Sequence, residues 1–253
     1  MRLVDHTSYF LTNLLQDARS GALVLPDFQR PYVWDHQDVI NLLDSAVQSF
    51  PLGNILLWGG WWRGAGPEAR GHVRPFAGYS VGAADPVLVL DGQQRLQALL
   101  IASSPASPYV WDCTTNTFRL GEAAPKEGVF HTQWLFDWMH DEKREVFAAA
   151  LPALREVRRE TVAVPAKGRL KATTRVVETR IYHESTPEQV VLSERLNALD
   201  KMMCLFRDLR LGALLIAPEA TLAFARDVFR RINTMGKPFS EEDVFKALNR
   251  SIP

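Results

Sequence analysis

Two hydrophobic periods share this chain. Short all-apolar runs stand at Leu23-Val24-Leu25, Ile55-Leu56-Leu57-Trp58, Val87-Leu88-Val89-Leu90 and Leu211 to Ile216. Such runs suit strands covered on both faces, where no polar alternation is needed. Between them the spacing turns helical. Phe10, Leu11, Leu14, Leu15 and Ala18 share one face, and Ser20-Gly21 ends that helix. Val39, Ile40, Leu43, Ala46 and Val47 predict a second helix to about Ser49, capped by Asp35. Ser185-Thr186-Pro187-Glu188-Gln189 is a helix start, with a hydroxyl cap, proline at the first position and glutamine at the third, and the helix runs to about Arg207. Leu222, Phe224, Ala225, Val228 and Phe229 mark another from Glu219 to about Ile232, and Ser240 with Asp243 opens a last one. Tyr109 to Cys113 and Phe118 to Leu120 read as a hairpin, and Thr132 to Ala150 as mostly helix. Gly59 to Asp85 has no period and reads as a long surface loop. Asp27 to Trp34 is a structured loop, because Pro31 biases Arg30 away from helix.

The chain turns from strand to helix at Asp91-Gly92-Gln93-Gln94-Arg95, after which Leu96, Leu99 and Leu100 recur at helical spacing. Glycine at such a corner permits a positive φ and close approach of a ligand or another backbone. The amides of Gln93, Gln94 and Arg95 would be the unpaired donors of the helix's first turn, beside the positive end of its dipole. With the Arg95 side chain this outlines an anion site. An ordinary corner capped by Asp91 fits the shape equally well. Two other segments carry similar chemistry. Arg30 lies among Gln29, Tyr32 and Trp34, and a guanidinium turned inward there requires an anionic partner. Arg231, Asn233, Gly236 and Lys237 cluster where a helix must stop before Pro238, ready for phosphate or ribose, or as a favourably charged helix terminus.

Composition narrows the partners. Lysine plus arginine and aspartate plus glutamate number 29 each among 253 residues, so no global field draws the protein onto nucleic acid. The local exception is Leu151 to Arg180, where eight basic residues face three acidic ones, a net +5. That stretch is either a surface for a phosphate backbone or a solvated connector with Arg–Glu pairing. Trp61-Trp62-Arg63 could stack on a base or anchor its loop. His131, Asp137 and His140 sit among packing residues and lack a fourth ligand, which argues against a metal centre. The start of the chain has no secretory pattern and no apolar run reaches the ~20 residues of a membrane span, so a cytoplasmic protein with no membrane partner is expected. Cys113 and Cys204 are expected as buried reduced thiols.

Taken in order, Phe28-Gln29-Arg30 with Tyr32 and Trp34, Phe50-Pro51-Leu52-Gly53-Asn54-Ile55, Asp91 to Arg95, and Phe229 to Lys237 resemble the DGQQR-motif family. That family forms the amino-terminal domain of GmrSD-type restriction endonucleases and related phage-defence proteins, and the similarity covers most of residues 8 to 250. The resemblance implies an α+β fold similar to ParB and sulfiredoxin domains, a small mixed sheet with flanking helices plus a largely helical C-terminal part. The expected division is a ParB-like core over 1–130, a helical and basic connector or insertion over 131–185, and a helical segment completing the core and pocket over 186–253. It implies nucleoside triphosphate binding and hydrolysis with Mg²⁺, in support of DNA restriction by a separate HNH nuclease domain or subunit. On this chain Asp91 would orient metal or water, Gln93 and Gln94 would position water or phosphate, and Arg95 would stabilise charge on the transferred phosphoryl group. Gly92 would allow close approach, while Gln29, Arg30, Arg231, Asn233, Gly236 and Lys237 would close the pocket. No HNH arrangement is present among His6, His36, His72, His131, His140 and His183. A DNA-binding or scaffold module, or a ParB-like nuclease acting through the corner, are the alternatives.

Overall fold

The computed structural model describes residues 3–27, 29–60, 72–83, 85–137, 141–164 and 173–234. In chain order its elements are β1 (Val4–Phe10), α1 (Leu11–Arg19), β2 (Leu23–Pro26), α2 (His36–Val47), β3 (Asn54–Trp58), β4 (Val73–Arg74), β5 (Val87–Asp91), α3 (Gln93–Ala102), β6 (Tyr109–Asp112) and β7 (Thr117–Leu120). They continue with β8 (Val129–His131), α4 (Gln133–Phe136), α5 (Asp141–Ala150), β9 (Leu154–Val164), β10 (Thr173–Tyr182), α6 (Pro187–Asp208), β11 (Arg210–Ile216) and α7 (Leu222–Thr234). The class is α+β. The chain folds as two units, one of residues 1–33, 52–97 and 210–253, the other of 34–51 and 98–209.

The first unit is built on a six-stranded mixed sheet of order β1-β11-β3-β5-β2-β4. The all-apolar runs occupy its centre. β5 lies between β3, antiparallel, and β2, parallel, and β3 runs parallel to β11. Central strands buried on both faces need this composition, and Val24, Ile55, Leu56, Leu57, Trp58, Leu88, Val89 and Leu90 are all buried. Burial of each such side chain contributes up to about 1.5–3 kcal/mol. On one face Val24, Leu56, Trp58, Leu88, Leu90 and Ile216 form a cluster with Ala220 and Ala225. The apolar stripe of α7, Leu222, Phe224, Val228 and Phe229, packs against it.

The second unit holds the three-stranded sheet β7-β6-β8 and the long helix α6. Thr186 and Gln189 close a reciprocal capping box at its start, as the sequence predicts. Leu192, Leu196, Leu199, Met203 and Phe206 form its buried side, and the Phe206 ring meets Phe136 and Phe118 with centroids 4.9 and 6.5 Å apart. β9 and β10 form a separate two-stranded antiparallel ribbon.

Several expectations change. β1 is a strand where the pattern begins only with a helix at Tyr9, and β4 lies inside the stretch read as a long loop. The basic connector is the β9–β10 ribbon, whose arginines pair with glutamates. The helical segment from Thr132 is two helices, α4 and α5. The last helix from Ser240, Trp61-Trp62-Arg63 and His140 lie outside the described residues. Among the described residues no cluster of three or more His, Cys, Asp or Glu could hold a metal ion, and no helix is long and apolar enough to cross a membrane.

Candidate functional site

The corner between β5 and α3 is set by a bulge and a glycine. Register pairs Trp58 with Leu88 and Leu57 with Val89, but Leu56 with Asp91, so Leu90 is the extra residue. Paired residues of neighbouring strands share a face, and the bulge therefore places Asp91 on the side of Leu56, Leu88 and Trp58, which α7 covers. Strict alternation would have grouped Asp91 with Val87 and Val89. Gly92 follows at φ +89°, buried, and a Cβ on it would stand 2.6 Å from Ile55 Cγ2. Glycine is required there by conformation and by space alike. The Leu96 amide donates to the Gly92 carbonyl at 3.1 Å, so Gly92, not Asp91, occupies the cap position of α3. It has no side chain to offer the amides of Gln93, Gln94 and Arg95.

Hydrogen bonds draw two distant backbone segments to this corner. Past Pro26, where β2 ends, the carbonyls of Val89 and Leu90 are taken up by Gln29, whose Nε2 donates to them at 3.0 and 2.6 Å. Gln94 is buried and uses both ends of its amide on the same loop. Nε2 donates to the Pro31 carbonyl and Oε1 accepts from the Val33 amide, each at 3.0 Å. Gln93 Nε2 donates to the Arg30 carbonyl at 3.2 Å, which also accepts from Arg74 Nη2 at 3.2 Å. The Arg30 backbone is thereby fixed beside the first turn of α3, while its side chain is exposed rather than packed inward.

Arg95 binds the second segment. Nη1 donates to the Leu52 carbonyl and Nη2 to the Asn54 carbonyl, both at 2.7 Å. The turn between them is Gly53 at φ +77°, where a Cβ would stand 2.6 Å from Arg95 Nη1. Nη2 also lies 3.8 Å from Asp91 Oδ2, one helical turn earlier, with the side chains 18% and 34% exposed respectively. Burial lowers the Arg95 pKa, and the Asp91 carboxylate opposes that shift. The guanidinium stays charged, because its ordinary value is far above neutrality.

On the Asp91 side of the sheet a cavity of about 300 Å³ is lined by Trp58, Leu88, Leu90, Leu222, Ala225, Arg226 and Phe229. α7 then carries Arg231, exposed, its Nε 2.7 Å from Asp227 Oδ2, while Arg230 meets the other oxygen at 2.7 Å. The two arginines hold the Asp227 carboxyl below its usual pKa. Thus Gln29, Arg30, Asp91, Gly92, Gln93, Gln94 and Arg95 meet at one corner, and Arg231 belongs to the helix over the same face. Of the rest, Asn233 lies in the last turn of α7, and Gly236 and Lys237 fall outside the described residues. Residue reading missed Arg74, Arg226 and Gln97, whose buried Oε1 accepts from the Ala77 amide at 3.0 Å. Three glutamines, Gln93, Gln94 and Gln97, within the first five residues of a helix were the available signal for Gln97.

The fold and the corner define a class, an α+β domain whose central strand turns through a bulge and a glycine into a helix fastened by glutamine and arginine side chains. The model of the family described as the GmrSD restriction endonuclease N-terminal domain matches residues 11–249, and the chain belongs to that family. An uncharacterized protein of Methanocaldococcus jannaschii is 31% identical over 110 residues, covering 39% of this chain and 17% of that protein's length.

Proposed function

We propose that this chain is the nucleotide-handling module of a phage-restriction system of the GmrSD kind, a nucleoside triphosphatase whose associated DNA cleavage belongs to a separate HNH nuclease domain or subunit. Family membership supports the restriction setting. The observation that carries the nucleotide reading is Gly92 at the cap position of α3, at φ +89°, where it has no side chain of its own to bond the first-turn amides. The first-turn amides of a helix, beside the positive end of its dipole, favour phosphate oxygens.

The residues also fit Mg²⁺ bound with the triphosphate. That ion commonly takes only one or two carboxylates and completes its shell with waters and phosphate oxygens, and Asp91 supplies a half-exposed carboxylate at the corner. Mg²⁺ would neutralise phosphate charge. In hydrolysis, water attacks the γ-phosphorus, the bond to the β-phosphate bridging oxygen breaks, and the nucleoside diphosphate leaves with inorganic phosphate. Asp91 would orient the attacking water, and Gln93, tethered to the Arg30 carbonyl, places a polar group beside it. Arg95 contributes fixed positive charge at the corner from a guanidinium already ordered by Leu52 and Asn54. Gln94 acts by positioning, since both ends of its amide hold the loop that bears Arg30. Arg30, exposed beside the first turn of α3, and Arg231 on α7 would close the pocket over sugar and phosphates.

The test is a panel of nucleoside triphosphates with Mg²⁺, read separately for binding and for phosphate release. Asp91→Asn should bind with little change and lose at least about 100-fold in turnover, the scale on which removing a positioned group acts. Wild-type protein that neither binds nor hydrolyses any triphosphate overturns the reading. Robust Mg²⁺-dependent DNA cleavage by the purified chain would overturn the assignment of cutting to a separate nuclease.

A further inference from the structure

Among the described residues the β9–β10 ribbon pairs with neither larger sheet and buries almost nothing. Every β9 side chain described is exposed, and in β10 only Val177 and Ile181 are half-buried among the described residues. An isolated two-stranded ribbon is marginally stable, so its sequence answers to something other than a core. Its charge is one-sided. The register pairs Val157 with Arg180, Arg159 with Glu178 and Thr161 with Val176, and these residues share one face. On that face Glu178 accepts from Arg159 Nε at 3.2 Å and from Arg180 Nε at 3.1 Å, one carboxylate between two guanidiniums. The opposite face carries Glu156, Arg158 and Glu160, with Arg158 held by both oxygens of Glu156 at 2.9 and 3.2 Å. The first face is therefore net positive, while the second, on which the register also sets Arg175 opposite Val162, sums to zero. The eight residues joining the strands add Lys167, Arg169 and Lys171 and no acid.

We infer that this ribbon is a duplex-DNA contact that lays its Arg159–Arg180 face into the major groove. The inference rests on the restriction reading above for its setting, and the charge and geometry argue for the element. B-DNA's major groove, about 12 Å wide, admits a two-stranded ribbon. The ten paired positions span about 33 Å at the strand rise, near one helical turn of DNA. Glu178 holds the two guanidinium heads in place, and each keeps N–H donors for phosphate or for a guanine edge. Val157 and Val176, 41% and 62% exposed on the same face, offer methyl groups of the kind that meet thymine methyls. The neutral total charge is consistent with this design, because attraction is confined to one element.

The experiment measures full-chain binding to a duplex of about 30 base pairs by fluorescence anisotropy from 50 to 200 mM salt. Arg159→Ala with Arg180→Ala should weaken binding at least about tenfold and reduce the salt slope by roughly two, one for each phosphate left without its arginine. Arg158→Ala removes the same kind of charge from the other face and should change affinity less than about threefold. These side chains are exposed, so the melting temperature should not move. Wild-type binding by the double variant, an equal loss with Arg158→Ala, or a change in self-association alone each overturns the inference, as does a wild type that binds no duplex. Triphosphate binding, measured on the same samples, separates the two readings. Nucleotide binding without DNA binding removes the ribbon inference alone, and ribbon-dependent DNA binding without nucleotide binding removes the nucleotide reading alone.

Discussion

Arg95 joins the electrostatic role proposed for it to a mechanical one, and the mechanical one is measurable. Its two bonds to the Leu52 and Asn54 carbonyls are charge-assisted, the first half-buried and the second exposed. Arg95→Ala should cost on the order of 2–4 kcal/mol in chemical denaturation by leaving those carbonyls unpaired, and Arg95→Lys should recover only part, because an ammonium cannot span both acceptors as the planar fork does. Gly92→Ala should destabilise further, by at least about 2 kcal/mol, since the left-handed backbone and Ile55 both oppose a Cβ. A melting temperature unchanged by Gly92→Ala would refute that geometry. The sequence made Asp91, Gly92 and Arg95 conspicuous, because a polar Asp-Gly after four apolar residues can only be a corner. It could not show how Gln29, Gln94 and Arg95 spend their polar atoms, since their partners lie 41 to 63 residues away along the chain. A glutamine bound to backbone and a glutamine bound to phosphate look alike in one dimension.

Elements with a buried stripe were legible; elements without one were not. α1, α2, α6 and α7 announce themselves by helical spacing, and the α6 cap by its proline and glutamine. Thr186→Ala should cost about 1 kcal/mol of thermal or denaturant stability. β1 reads Val-Asp-His-Thr-Ser-Tyr-Phe with most side chains exposed, an edge strand specified by its pairing with β11 rather than by its own pattern. The β9–β10 ribbon was hidden for the same reason, as charges on both faces erase the period of two. The turn of the β6–β7 hairpin gives a prediction in acid. Asp112 accepts from the Thr114 hydroxyl at 2.6 Å and from the Thr114 amide at 2.9 Å, and these bonds hold its pKa below the usual 3.8. A depressed carboxylate pKa contributes stability that is full above about pH 4 and is lost as pH falls through the folded value. Asp112→Asn should therefore flatten the acid limb of the melting curve below pH 4 while leaving the slope above pH 5 unchanged.

At the scale of the molecule, the two units interleave along the chain. The first is assembled from three stretches, and the second lies between them in sequence. The edge pairing of the first unit, β1 with β11, joins Val4 to Ile216 and Phe10 to Arg210. On a ribosome the consequence is temporal. At about 5–20 residues per second, β1 waits roughly ten to forty seconds for its partner strand, and β3 waits almost as long for its own pairing with β11. During that interval the apolar β3 run is exposed along one edge, which favours a chaperone or rapid completion of the chain. The second unit has all its residues available earlier and can order first. A chain that has emerged from the ribosome as far as Asp208 should resist protease over 34–51, 98–136 and 187–208 while 1–33 and 52–97 are still digested, and protection of those segments before β11 emerges would show that the sheet closes by another route.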